Sequence, residues 1–147
     1  MRLFSLWTAL VERLFYLTHA VYHEITVCTC RVSPSSATTT VDLGRPENLK
    51  VVETLGLEPE LKRADMVSAA IRKADGVVFY EYDLALSPPT CGSEMATACL
   101  PEKVILISCA VRDGMLYVVR ADADAGQWKR SGRALRLLRS SFKVDGA

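Results

Sequence analysis

The residues with the widest chemical range in this sequence are its five cysteines. An odd number leaves at least one thiol unpaired, and the lack of any CxxC motif excludes zinc ribbons and thioredoxin-type sites. Cys91 and Cys99 are the first and last residues of the segment CGSEMATAC. This segment lies in a predicted loop, and no predicted helix or strand holds it in place. We predict a disulfide between Cys91 and Cys99, which would stabilise the fold by about 2–3 kcal/mol. Two free thiols on a loop are the alternative.

The other three cysteines lie in segments predicted to be strands. Cys28 and Cys30 are two residues apart, so both point to one face of a strand. Cys109 lies in a second segment that is apolar and β-branched. We expect all three to be small buried hydrophobic residues. A thiol-redox protein using Cys28 and Cys30, or a metal role, is the alternative.

Two further spacings are compatible with metal or acid–base chemistry. His19 and His23 are four residues apart, which on a helix would place two zinc ligands on one face. The sequence from Tyr22 onward favours a strand, so we expect no metal site there. Glu81 and Asp83 share a strand face and could pair as carboxylates, but we expect exposed strand residues. Phosphate-binding glycine loops and nucleophile elbows do not occur, so no catalytic residue is predicted.

A series of basic residues is the strongest candidate for a binding surface. The predicted helix Gln127–Ser140 places Trp128, Leu135 and Leu138 on one apolar face. Cations occupy much of the remaining surface of this helix: Lys129, Arg130, Arg133, Arg136 and Arg139. We predict that these five side chains dock onto an acidic partner surface or an anionic lipid. A solvated helix face is the alternative.

Strands in two hairpins must position these residues. Asp75-Gly76 and Asp113-Gly114 each separate two apolar segments, which is a strong hairpin signal. A further strand is predicted over Tyr22–Val32. A helix is predicted to start at Pro46. The predicted hairpin strands are 66–73, 77–86, 104–111 and 115–121. Amphipathic helices must cover such a sheet, so we predict an α+β fold with a central antiparallel β-sheet flanked by helices.

Length and charge limit the possible classes. A chain of 147 residues forms one domain. Its 18 Lys and Arg against 17 Asp and Glu give a net charge of +1, which excludes a strongly basic nucleic-acid binder. The first 22 residues are mostly apolar, but Glu12 and Arg13 interrupt them, so neither a membrane span nor a signal peptide is expected. We expect a packed helix, with membrane-surface contact as the alternative.

Five short motifs stand out along the chain. They are the helix start at 42–47 (DLGRPE), the strand segment 78–84 (VFYEYDL), the hairpin 111–117 (VRDGMLY), Trp128-Lys129, and the ending 140–144 (SSFKV). In this order and spacing they resemble the motifs of the PsbP family, the extrinsic lumenal proteins of oxygenic photosynthesis. The segment 78–84 is similar to the family's YYEYEL strand, and 111–117 to its V-x-D-G-K-L-Y hairpin. The resemblance predicts a PsbP-like domain over 22–147 and an atypical N-terminal extension over 1–21.

The resemblance implies a PsbP-like α/β/α sandwich and a protein that is not an enzyme. It implies a site in the chloroplast thylakoid lumen and subunits of photosystem I or II as partners, with membrane association only through that complex. The expected role is a peripheral subunit or an assembly or stabilising factor, with no cofactor and no small-molecule substrate. Photosystem II members often carry a metal-binding His where this chain has Val104, so no metal ligand carries over.

One alternative shares the implied fold. A nuclear Ran-binding protein has this architecture, so a protein that binds a small GTPase of the Ran type is the second hypothesis. The redox state of Cys91 and Cys99 distinguishes the two, because a disulfide is typical of the lumen and free thiols of the nucleus.

Overall fold

Two β-hairpins form the centre of the molecule. The computed structural model describes residues 28–91 and 99–144, with side chains from Cys30 onward. Strand β2 (Asp65–Ala74) pairs with β3 (Val77–Leu86), and β4 (Lys103–Arg112) pairs with β5 (Met115–Asp124). The two residues of each turn have positive φ values, 51° and 77° at Asp75-Gly76 and 51° and 73° at Asp113-Gly114. This is the backbone of a type I′ turn, so both predicted hairpins are confirmed.

The strands form one five-stranded sheet in the order β1-β5-β4-β3-β2, where β1 is Cys28–Pro34. All neighbouring strands are antiparallel. The predicted α+β class with a central antiparallel sheet is therefore confirmed. The predicted extension at 1–21, the pair His19 and His23, and the first residues of the predicted N-terminal strand lie outside the described residues.

One face of the sheet, called here the helix face, is covered by the C-terminal helix. This helix spans Ala125–Ser140, two residues more at its start than predicted, and is labelled α2. Asp124 caps it, since its Oδ1 accepts from the backbone N–H of Gln127 at 2.8 Å and the Gln127 side chain accepts from the Asp124 N–H at 3.0 Å. Leu135 and the following Phe142 are buried against the sheet.

The other face, called here the loop face, is covered by residues 35–64. This segment contains three 3₁₀ helices (Thr40–Leu43, Pro46–Asn48 and Pro59–Arg63) and one four-residue α-helix, α1 (Val51–Thr54). The continuous helix predicted from Pro46 is therefore wrong. Leu49 has an extended backbone, with φ −71° and ψ 133°, and its side chain packs on the core. The helical turns on either side are thus separated by an extended residue whose partly buried side chain contacts the core.

Hydrogen bonds from side chains attach this segment to the sheet. The Tyr80 hydroxyl donates to the Gly44 carbonyl at 2.6 Å, and the Tyr82 hydroxyl donates to the Pro46 carbonyl at 3.1 Å. Thr40, which is 1% exposed, donates to the Val78 carbonyl on β3 at 2.6 Å. Its oxygen also accepts from the Val111 N–H on β4 at 2.8 Å. The loop face thus obtains defined geometry without long helices.

Candidate functional site

The strand β3 alternates between the two faces of the sheet and carries two acidic residues on the helix face. Glu81 and Asp83 are 7% and 4% exposed. The expectation that they are exposed is therefore wrong. Strand β3 is an inner strand, and α2 covers the face to which these carboxylates point. Buried carboxylates require partners, because an unpaired buried charge is strongly destabilising.

Three arginines, one on β2 and two on α2, supply those partners. The Arg72 Nε on β2 donates to Glu81 Oε1 at 2.7 Å. Arg139 on α2 donates to an Asp83 carboxylate oxygen and to the Tyr82 carbonyl, the latter at 3.1 Å. Arg136 on α2 donates from its Nη2 to Asp83 Oδ2 at 2.9 Å. These five charged side chains, Arg72, Glu81, Asp83, Arg136 and Arg139, are called the ion cluster below.

Two of the five cations predicted to dock onto a partner, Arg136 and Arg139, belong to the ion cluster instead. Arg139 is 9% exposed and neutralised inside the fold, so its side chain is not available to a partner. Arg136 retains an exposed side chain, but its guanidinium is paired with Asp83 and lies 4.8 Å from the centre of the Trp128 ring. The helix pattern could not reveal this, since the acidic partners lie more than 50 residues earlier in the chain.

Three of the predicted cations remain on the outer surface of α2. Lys129, Arg130 and Arg133 are exposed, and they are called the basic surface below. Helix α2 contains no Asp or Glu. Leu137, 65% exposed, follows one helical turn after Arg133 and adds an apolar side chain that the sequence analysis did not identify. A surface of this composition attracts acidic groups and offers one apolar contact.

Arg72 also belongs to the residues that the sequence analysis missed. Its Nη2 donates to the Phe142 carbonyl at 2.8 Å, and its guanidinium lies 4.1 Å from the centre of the Phe79 ring. It therefore holds the end of the chain against β3. The register of the Asp75-Gly76 hairpin places Arg72 diagonally opposite Glu81, and that register was the available signal.

The structure joins Cys91 and Cys99 in a disulfide, with their Cα atoms 5.7 Å apart. Among the described thiols, Cys109 is fully buried as expected, and burial raises its pKa to about 12. Cys30 is exposed, so the expectation of burial is wrong there, because β1 is an edge strand. Partial desolvation nevertheless raises the pKa of Cys30. A raised pKa decreases the reactive thiolate fraction, which argues against the thiol-redox alternative. The Cys28 side chain lies outside the described part.

A cleft of about 440 Å³ lies where the loop face meets the edge of the sheet, beside Arg31 and Arg120. Both guanidinium groups have partners there. Arg31 donates to the Leu55 and Gly56 carbonyls, and Arg120 pairs with Asp122, at 2.6 Å from Nε to Oδ1, and with Glu58. The pKa of Arg120 is raised by these carboxylates, above all Asp122. The cleft therefore offers little net positive charge to a ligand.

Residues 28–91 and 99–144, which the structure describes, contain no group of three or more His, Cys, Asp or Glu residues placed to hold a metal ion. Within the same residues, no helix combines the length and the hydropathy needed to cross a bilayer.

The fold and the site define an α+β protein built on an antiparallel sheet, with a basic helix on its surface. The family model for PsbP matches residues 15–144, so the chain belongs to the PsbP family, and the resemblance seen in the sequence is confirmed. The solution structure of cyanobacterial PsbP (CyanoP) from Synechocystis sp. PCC 6803 is similar, with a TM-score of 0.56 and 19% identity. The match covers 82% of this chain and 68% of that one. No curated protein matches significantly.

Proposed function

We propose that this protein is a non-catalytic extrinsic protein of the thylakoid lumen that docks onto a photosystem. Membership of the PsbP family supports this class of role. It acts as a peripheral subunit or as an assembly or stabilising factor, and it reaches the membrane only through the complex. No cofactor is required for such a role. The matches name PsbP proteins and lend no support to the GTPase-binding alternative.

The basic surface is the single observation that carries the docking mode. Lys129, Arg130 and Arg133 are exposed on a helix that contains no Asp or Glu. Arg136 and Arg139 pair with Asp83 and Glu81 beneath that helix. The helix itself is fixed to the sheet by the ion cluster, so the backbone that carries the basic surface is held in place. Binding therefore requires ordering of the cationic side chains but not of the helix.

The partner that fits this surface is an acidic protein surface on the lumenal side of photosystem I or II. Charge attraction accelerates the encounter, and buried apolar contacts determine how long the complex lasts. Leu137 is the available apolar side chain on this part of α2. We therefore expect binding that weakens steeply as salt increases.

The test is co-migration with photosystem complexes. Thylakoid membranes of the source organism are solubilised and separated on a native gel, and the chain is located by mass spectrometry. The tagged protein and the double variant Lys129→Glu/Arg133→Glu are then added to depleted membranes. We expect the wild-type chain to migrate with one photosystem and the double variant to lose at least about tenfold in binding, which is about 1.4 kcal/mol.

A matched control separates the surface from the total charge. Arg45→Glu/Lys50→Glu makes the same change in net charge at two exposed residues of the segment on the loop face. This control should bind as the wild type does. Equal loss in both double variants would contradict docking through the basic surface, and a chain that never migrates with a photosystem would contradict the proposed role.

The disulfide provides a second, independent test of location. We propose that Cys91 and Cys99 are oxidised in the native protein, as expected in an oxidising compartment. The chain isolated from its source is alkylated without reduction and digested, and the peptide joining the two cysteines is sought. Recovery of alkylated Cys91 and Cys99 in place of the linked peptide would argue against the lumen.

A further inference from the structure

The edge strand β2 presents an unusual combination of open backbone and apolar side chains. It is the last strand of the sheet, and no strand among the described residues pairs with its outer edge. Met66, Val67 and Ile71 on this strand are 39%, 63% and 55% exposed. Unpaired backbone groups beside exposed apolar residues are a template for another strand. This edge is therefore suited to pairing with a further chain.

The opposite edge is protected by comparison. Strand β1 ends at Pro34, which has no backbone N–H to donate. Its Arg31 side chain turns back to the Leu55 and Gly56 carbonyls. No large hydrophobic residue is exposed in the described part of β1. The pairing capacity of the sheet thus lies at β2.

The register of β2 on β3 identifies which chain fits. The pairing of β2 with β3 shows how far each β2 residue lies from Ala69 along the sheet. Met66 and Ile71 pair with the β3 residues two positions after and before the partner of Ala69, so they are equally distant from it. Asp65 and Arg72 face β3 residues three positions to either side. A bulge between Met66 and Ser68 creates this symmetry by adding one residue to the first half of the strand.

We propose that β2 pairs antiparallel with β2 of a second copy, with the twofold axis passing through Ala69. This arrangement places Met66 of each copy opposite Ile71 of the other, an apolar pair in which both residues are exposed in the single chain. It also brings the acidic start of each strand, Asp65, near the end of the other strand, where Lys73 is exposed. A second copy satisfies the apolar requirement at both symmetric positions at once, so it is the occupant that the strand fits.

The centre of the strand permits the close approach. Ser68, Ala69 and Ala70 surround the axis, and their small side chains leave room for cross-strand contact at the spacing of paired strands, about 4.8 Å. The result is a continuous ten-stranded sheet across two copies. The inference does not depend on the proposed photosystem role, because α2 and its basic surface lie on a face of the sheet and not on this edge.

The test measures the oligomeric state of the 147-residue chain by sedimentation equilibrium from about 1 µM to 1 mM. The wild type is expected to dimerise reversibly. Ile71→Lys, which places a charge at two symmetric positions, is expected to weaken the dimer at least about tenfold. Val41→Lys is the matched control, since Val41 is 61% exposed and belongs to the segment on the loop face. It should leave the dimer unchanged.

Cross-linking tests the register without depending on a destabilising substitution. In a Cys30→Ser background, Ala69→Cys is expected to form a disulfide-linked dimer on mild oxidation, because the twofold axis brings the two Cα atoms to about 5 Å. Ala74→Cys on the same strand is expected not to cross-link. A chain that stays monomeric at 1 mM, a dimer unaffected by Ile71→Lys, or equal cross-linking at both positions would overturn the proposal.

Discussion

The helix face and the loop face of the sheet are held by different interactions. On the helix face, α2 is attached by the ion cluster, in which Glu81 and Asp83 meet three arginines under a helix. On the loop face, residues 35–64 are attached by an apolar core and by hydroxyl groups that bond to backbone atoms. Both faces also contain apolar packing, and the loop face has the partly exposed Arg120–Glu58 ion pair. The buried charged side chains among the described residues, Glu81, Asp83 and Arg139, all lie on the helix face.

The two faces are therefore vulnerable to different substitutions. A buried ion cluster is stable only when every charge has a partner, so the loss of one member leaves an opposite charge buried and unpaired. An apolar layer responds in proportion to the volume removed. The helix face also supports the basic surface, so damage to the ion cluster should affect docking as well as stability.

The largest expected effect is that of Asp83→Ala on the helix face. Arg139, at 9% exposure, would lose its main partner, and we expect a loss of about 4 kcal/mol in the free energy of unfolding. Urea denaturation measures it. Glu53→Ala is the control, because the Glu53–Lys62 pair at 3.2 Å is about half exposed on both sides and should contribute little to stability. Equal losses in the two variants would refute the distinction between the faces.

On the loop face, Leu55→Ala is expected to destabilise by about 3 kcal/mol, because Leu55 is fully buried and a cavity would remain. The same urea experiment applies. Leu137→Ala, at a leucine that is 65% exposed, should change the free energy of unfolding very little. If Leu55→Ala were tolerated as well as Leu137→Ala, residues 35–64 would not form a packed layer.

Thr40→Val tests the hydroxyl hydrogen bonds of the loop face, because it keeps the shape of the side chain and removes the hydroxyl. The Val111 N–H would lose its acceptor and the Val78 carbonyl its donor, so we expect a loss of about 2 kcal/mol. Thr38→Val, at an exposed threonine two residues earlier, is the control. A thermal melt in which the two variants agree would show that the Thr40 hydroxyl is not a fixing point.

The smallest expected effect is the loss of stability at acidic pH, and it should arise on the loop face. The pKa of Asp42 is lowered by hydrogen bonds, above all from the Thr39 N–H, and the pKa of Glu58 is lowered by its own backbone N–H and by Arg120. A lowered carboxyl pKa contributes stability that is complete above the ordinary values of 3.8 and 4.5 and is lost as pH falls below them. The urea midpoint should therefore decrease below about pH 4.5. Asp42→Asn should show a smaller decrease than the wild type.

The sequence predicted the parts of the fold that depend on local signals. Both Asp-Gly turns and the amphipathic helix after Asp124 follow from residues close together in the chain. The helix from Pro46 was wrong, since Leu49 is extended and its partly buried side chain contacts the core. Tertiary contacts of this kind leave no periodic signal.

The candidate site was predictable only in part for the same reason. Lys129, Arg130 and Arg133 have the exposed positions that helical spacing indicated. Arg139 was wrongly assigned to the same surface. Its acidic partner Asp83 lies 56 residues away on another element, so the helix pattern gave no sign of the pairing. A charge on a helix can be assigned to solvent or to the core only when the strand beneath it is known.

The position of Thr40 has a consequence for the order of folding. Its two partners, 38 and 71 residues later in the chain, lie on β3 and β4 and come together only when those strands have paired. Residues 35–64 should therefore dock after the hairpins have formed. Only then do the paired strands offer contacts that offset the entropy lost on closing the long loop. Substitutions in this segment should then accelerate unfolding and leave the folding rate almost unchanged. We therefore expect this late-docking layer to govern the lifetime of the folded chain, with the hairpins forming before it.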